Sequence, residues 1–120
     1  MEIECPPELR DAAAAALRAC GLTQGHVSVQ LVDREAMGRL NLEHRALDEP
    51  TDVLAFPIDG LEPSAGPREL GDVVICPDYT ADPEEAVVHG ILHLAGFDHE
   101  TDEGEMLALQ AEVLARLRGA

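Results

Sequence analysis

Gly71-Asp-Val-Val-Ile-Cys-Pro-Asp-Tyr-Thr-Ala-Asp-Pro-Glu-Glu-Ala-Val-Val-His-Gly-Ile-Leu-His-Leu-Ala-Gly-Phe-Asp-His99 is the stretch on which the fold turns. It holds a strand and a helix in succession. Val73, Val74 and Ile75 form a short apolar run closed by Pro77, the pattern of a buried strand. Asp82 then stands as a helix N-cap, Pro83 as a first-turn proline and Glu85 as a capping-box acid. The helix they open carries His89 and His93. Residues four apart lie on one helix face, one turn above the other. Gly96 follows where a helix can end in a left-handed residue. The chain can then turn and bring His99 back towards the first two rings. Three of the five histidines thus fall between 89 and 99 with the spacing H-x3-H-x5-H. Three imidazoles on one zinc ion leave a fourth vertex open, the mark of a catalytic rather than a structural site. Zinc is the default for this ligand set, and iron, copper and nickel are compatible with it.

Outward from that stretch, Thr51–Ile58 is a second strand, closed by Pro57 and Gly60, and residues 60–67 read as a loop. Asp33 caps a helix running to about His44, with Met37, Leu40 and His44 on one face. His26–Val32 alternates, placing Val27, Val29 and Leu31 on one side of a half-buried strand. Met1–Cys5 is a short strand, and Glu8–Cys20 an alanine-rich helix stopped by Gly21. A last helix begins near Asp102, with Glu105 as box partner, and buries Met106, Leu109, Val113 and Leu117. Helices and strands mix without strict alternation. The expected architecture is α+β, a single domain over residues 1–120 with a small mixed sheet of about four strands packed against helices. The metal helix is expected to be zincin-like.

The formal net charge is −16, from 24 acids against 8 bases, and every base is Arg. Such a field repels nucleic acid at long range and suits a basic protein partner. A metal cation and a few well-placed arginines must supply any local attraction for RNA. No apolar run approaches the ~18 residues that span a bilayer, so no membrane association is expected. The start lacks the pattern of a signal peptide. Cys5, Cys20 and Cys76 are odd in number and lack C-x-x-C spacing, which fits buried, reduced thiols in a cytosolic protein.

H-x3-H-x2-G-x2-H is also the spacing of metzincin proteases, which carry Glu after the first His as general base. Here that position is Gly90, which cannot take a proton. Met106 is better placed for core packing than for a Met-turn. Asp98, directly before His99, can orient a ligand imidazole or hold a metal-bound water, and it can equally be a solvated turn acid. No nucleophile elbow and no glycine-rich phosphate loop occurs. Asn41, Arg45, Thr51 and Asp52 form a second constellation, read from composition alone as helix, turn and strand, with Arg45 a surface charge.

Four segments together resemble the bacterial YbeY family. They are Leu40-Asn41-x3-Arg45, Pro50-Thr51-Asp52-Val53-Leu54-x-Phe56-Pro57, Leu70-Gly71-Asp72-Val73-x-Ile75 and His89-Gly90-x-Leu92-His93-Leu94-x-Gly96-x-Asp98-His99. The family comprises zinc-dependent, single-strand-specific endoribonucleases of small-subunit rRNA 3′-end maturation and ribosome quality control. The resemblance implies one zinc ion held by His89, His93 and His99, with Arg45 as the essential arginine beside it. It also implies a cytoplasmic protein that meets the small ribosomal subunit, through a small-subunit ribosomal protein and a ribosome-associated GTPase. Arg45 would neutralise charge building on the non-bridging phosphate oxygens, and proton removal would fall to the metal, to Asp98 or to a water chain. The chain departs from the family pattern at Ala55, usually Ser, and at His44, usually Tyr. The interval from Cys76 to His89 is about a dozen residues shorter than the family pattern leads one to expect. Two other readings stay open at this stage. One is a non-nucleolytic ribosome assembly factor with a structural metal, and the other a metallopeptidase-like hydrolase lacking its glutamate base.

Overall fold

The protein is described by a computed structural model covering residues 1–45, 52–57, 69–97 and 102–119, with the backbone alone at 44, 45 and 57. Four strands, β1 (Glu2–Glu4), β2 (His26–Leu31), β3 (Val53–Pro57) and β4 (Glu69–Ile75), form one sheet in the order β1-β2-β4-β3. β1 runs parallel to β2 and β2 parallel to β4, whereas β3 is antiparallel to β4. The helices are α1 (Arg10–Ala19), α2 (Arg34–Arg45), α3 (Pro83–Leu94) and α4 (Glu105–Leu117). The architecture is α+β with a mixed sheet, as the sequence implies. The loop expected at 60–67 lies outside the described residues.

Alternation along the strands sorts side chains onto two faces. Val27 and Val29 of β2, Val53 and Ala55 of β3, and Val73 and Ile75 of β4 face the main core with α1, α3 and α4. Leu54 and Val74 point the other way and pack with Met37 of α2 and Cys76. Helices therefore cover both faces, and α3 rests directly over β3 and β4. One irregularity adjusts this pattern. The β2–β4 register shifts between His26 and Val27, where β4 advances from Glu69 to Gly71. Such a bulge offsets the alternation by one residue. Leu70 consequently joins the main core at 1% exposure. Leu31 departs from the expected buried face and is 40% exposed, because the main core extends along β2 only as far as Val29.

The helix ends follow local chemistry. Asp33 accepts a hydrogen bond from the Ala36 amide and starts α2. Asp82 accepts from the Glu85 amide and starts α3 as expected, with Pro83 in the first turn. The reciprocal half of the capping box is not made, because the Asp82 amide donates instead to Thr80 Oγ1. α4 starts later than Asp102. Gly104 takes φ 103° as its N-cap, while the Asp102 carboxylate accepts from the amides of Gly104 and Met106. Glu105 receives the Glu103 amide. All three cysteines are free; Cys76 is buried and Cys5 and Cys20 partly so. Burial pushes the Cys5 and Cys20 thiols above their ordinary pKa, which favours the protonated form. Among the described residues no helix is long and apolar enough to cross a membrane.

Candidate metal centre

α3 is held against the sheet by Val87, Val88, Ile91 and Leu92, all with zero exposure. Gly90 sits where the helix approaches the sheet most closely. A Cβ built there would stand 2.6 Å from Val73 Cγ1 and 3.2 Å from Val53 Cγ2. The position therefore points into the core. A glutamate there, as in the metzincins, would project among valines. The lack of a base at position 90 thus has a packing cause as well as a chemical consequence.

His89 and His93 lie one turn apart and are both partly buried. Their Nε2 atoms are 3.2 Å apart, with ring centroids separated by 4.8 Å and planes inclined at 76°. Two nitrogens bound to one tetrahedral zinc at about 2.0–2.1 Å stand about 3.3–3.4 Å apart. The pair thus already spans the edge of a zinc tetrahedron, and the donor set fits that ion. Nδ1 of His89 lies 2.8 Å from Oε1 of Gln110 on α4. An amide oxygen can only accept, so this contact calls for the proton of a neutral His89 on Nδ1, which leaves the Nε2 lone pair for a metal. Gln110 escaped the sequence reading. Its signal was a polar residue one turn from Met106 on a face otherwise apolar, a pattern that fits a partly buried polar contact.

The C-terminus of α3 closes in a Schellman motif. The Phe97 amide donates to the Leu92 carbonyl and the Gly96 amide to the His93 carbonyl, both at 3.0 Å, with Gly96 at φ 98°. Phe97 packs against the main core and fixes the exit direction of the chain. Asp98 and His99 follow at once but lie outside the described residues. Among the described residues no three His, Cys, Asp or Glu side chains converge on one point. The structure thus brings together two of the three expected ligands.

Arg45 is the last residue of α2, with its side chain outside the description. Asn41, one turn earlier, is buried at 2% exposure. Residues 46–51, which include Thr51, are not described and lead to Asp52. The Asp52 carbonyl accepts the Cys76 amide at 2.9 Å. Val53, next in sequence, is one of the two valines that face Gly90 between the two histidines. The second constellation is in this way connected to the helix that bears the first.

The sequence profile described as endoribonuclease YbeY matches residues 6–118. The endoribonuclease YbeY of Nocardia farcinica (strain IFM 10152) is 40% identical over 109 residues, taking in 73% of this chain and 59% of that protein. That of Acinetobacter baylyi (strain ATCC 33305 / BD413 / ADP1) is 42% identical over 113 residues, taking in 79% of this chain and 71% of that protein. The solution structure of TM1509 from Thermotoga maritima matches with a TM-score of 0.59 at 26% identity, over 98% of this chain and 89% of that one. The chain spans about 60% of the length of its nocardial and mycobacterial relatives. With the histidine helix, the sheet and the sequence in agreement, this chain belongs to the YbeY endoribonuclease family.

Proposed function

We propose that the protein is a zinc-dependent endoribonuclease acting on single-stranded RNA. His89 and His93 would hold one zinc ion through Nε2, with His99 as third ligand. When bound, the ion supplies a Lewis acid and lowers the pKa of coordinated water towards neutrality. Arg45 offers a planar, permanently charged fork to the non-bridging oxygens of a scissile phosphate. Asp98 would orient His99 or take a proton. Gly90 cannot act as a base, so proton removal falls to Asp98 or to water. The observation that carries the reading is the pair of Nε2 atoms at 3.2 Å, in a chain of this family.

Small-subunit rRNA maturation and ribosome quality control are the proposed setting, in the cytoplasm. A small-subunit ribosomal protein and a ribosome-associated GTPase are the proposed partners. A net charge of −16 favours basic protein partners over an extended RNA contact. The same charge favours a second reading, an assembly factor that binds ribosomal protein without cutting RNA. Purified protein assayed for metal and for cleavage of single-stranded RNA, with and without chelator, separates the two. The nuclease reading expects cleavage that chelation abolishes, and an Arg45→Ala variant that keeps its zinc but loses activity. Normal cleavage by that variant would remove Arg45 from the mechanism. A metal-loaded wild type that cuts no RNA but still binds ribosomal subunits would favour the assembly factor.

A further inference from the structure

We propose that Gln110 is a positioning residue of the metal centre. Its amide oxygen holds His89 in the Nδ1–H tautomer and aims Nε2 at the point it shares with His93. The inference deepens the zinc reading above and rests on it.

The first ground is the placement of Gln110. On α4 it follows Met106 by four residues and precedes Val113 by three, so all three share one helix face. Met106 has zero exposure and Val113 4%. An amide on such a face is costly if unpaired, because its lost hydration is not replaced. It is not left unpaired: Oε1 of Gln110 meets Nδ1 of His89 at 2.8 Å.

The second ground is that the register of the two helices is fixed independently of this contact. Arg118, the C-cap of α4, donates to both carboxylate oxygens of Asp82, the N-cap of α3, at 2.8 and 2.6 Å. The end of one helix is thereby fastened to the start of the other, and the pair runs antiparallel. His89 lies seven residues into α3 from that clamp, and Gln110 lies eight residues back along α4. At the other end of α4, Asp102 accepts the Met106 amide. Gln110 therefore reaches the His89 ring from a helix whose C-terminal end is tied to the start of α3.

The third ground is chemical. A metal ligand must present a lone pair, and in a neutral imidazole only one nitrogen has one. An acceptor at Nδ1 makes Nε2 that nitrogen, and it also limits rotation of the ring. The nitrogen bearing that lone pair stands 3.2 Å from Nε2 of His93. Gln110 supplies the acceptor without adding a further negative charge. Loss of such an orienting partner typically weakens metal binding about 10–100-fold.

The test uses the intact chain and two variants, Gln110→Glu, which keeps an acceptor oxygen, and Gln110→Leu, which removes it. Long-range 1H–15N NMR of the metal-free protein at pH about 8, where an ordinary histidine is neutral, reads the His89 tautomer directly. The expected result is a proton on Nδ1 in the wild type and in Gln110→Glu, and a mixture of tautomers in Gln110→Leu. Zinc affinity by competition with a chromophoric chelator should fall about 10–100-fold in Gln110→Leu and stay within a few-fold of wild type in Gln110→Glu. A wild-type His89 protonated on Nε2 overturns the proposal, and so does a folded Gln110→Leu protein that binds zinc as the wild type does. The wild-type spectrum decides even if a variant fails to fold. Wild-type protein that binds no zinc overturns the metal reading instead, while its tautomer still decides what Gln110 does to His89.

Discussion

Replacing Gly90 with alanine tests whether α3 is positioned by its contact with the sheet. In an exposed helix interior this change stabilises, because Gly is about 0.8–1.0 kcal/mol less favourable than Ala. Here the new methyl would stand 2.6 Å from Val73 Cγ1, 0.8 Å inside the 3.4 Å at which ordinary contact begins. Val73 cannot step aside easily. It has zero exposure, it is β-branched, and its strand is paired on both sides. Val53 blocks a second direction at 3.2 Å. The helix must lift, loosening the fully buried Val87 and Ile91. Overpacking of this kind costs about 1–3 kcal/mol, and a rigid obstacle on a central strand argues for the upper end. Less the propensity gain, the net loss is about 2 kcal/mol. That corresponds to a fall in Tm of roughly 5–10 °C for a chain of this size. Gly38 on α2 is the control, since nothing lies within 4 Å of a Cβ built there. Gly38→Ala should stabilise by about 0.5–1 kcal/mol. Both variants should be unfolded thermally and in urea, with chelator present so that bound metal adds nothing to either. A Gly90→Ala protein as stable as the wild type would refute the close-approach argument.

Two further predictions concern pH. His26 on β2 donates through Nδ1 to Glu69 of β4 at 2.7 Å and through Nε2 to Glu4 of β1 at 3.0 Å, tying three strands together. The hydrogen bond to Glu69, then that to Glu4, raises its pKa. A raised folded value means stability fully present below the ordinary histidine pKa of about 6.5 and lost as pH climbs through the folded one. The urea midpoints of wild type and His26→Gln should therefore differ most near pH 6 and converge at alkaline pH; a constant gap would contradict the assignment. Asp82 is the opposite case. Its hydrogen bond with Arg118 chiefly lowers its pKa, so its contribution is present above the ordinary aspartate value of about 3.9 and disappears as pH falls through the folded one. Asp82→Ala should cost about 0.5–2 kcal/mol at neutral pH through loss of the N-cap. That penalty should shrink in acid, where the pairing with Arg118 is lost while a neutral carboxyl still accepts the Glu85 amide, as followed by unfolding of the two proteins between pH 7 and 2.

Much of this fold was legible because local chemistry and tertiary packing agree. The apolar run at Val73–Ile75 is buried as read. Asp33 and Asp82 cap the helices they were expected to cap, and Gly96 ends α3 in the left-handed conformation that its position suggested. Disagreements arose where a neighbour changed the local outcome. Thr80 took the Asp82 amide that a capping box would have given to Glu85. Gly104 adopted a positive φ and delayed α4 beyond Asp102. The bulge at Glu69–Gly71 turned Leu70 inward, which no strict alternation would predict. In the candidate site, the H-x3-H spacing alone was enough to place two rings together, since helix geometry fixes it. The partnership of His89 with Gln110 joins residues on different helices, and only the tertiary register could reveal it.

In the proposed site, His89 and His93 form one edge of a three-histidine zinc centre completed by His99. X-ray absorption at the zinc edge of the loaded protein measures this most directly. The expected result is one zinc per chain, four nitrogen or oxygen neighbours at about 2.0–2.1 Å, and imidazole scattering from three rings. Sulfur at about 2.3 Å, scattering from fewer than three rings, or a protein that retains no zinc would contradict it.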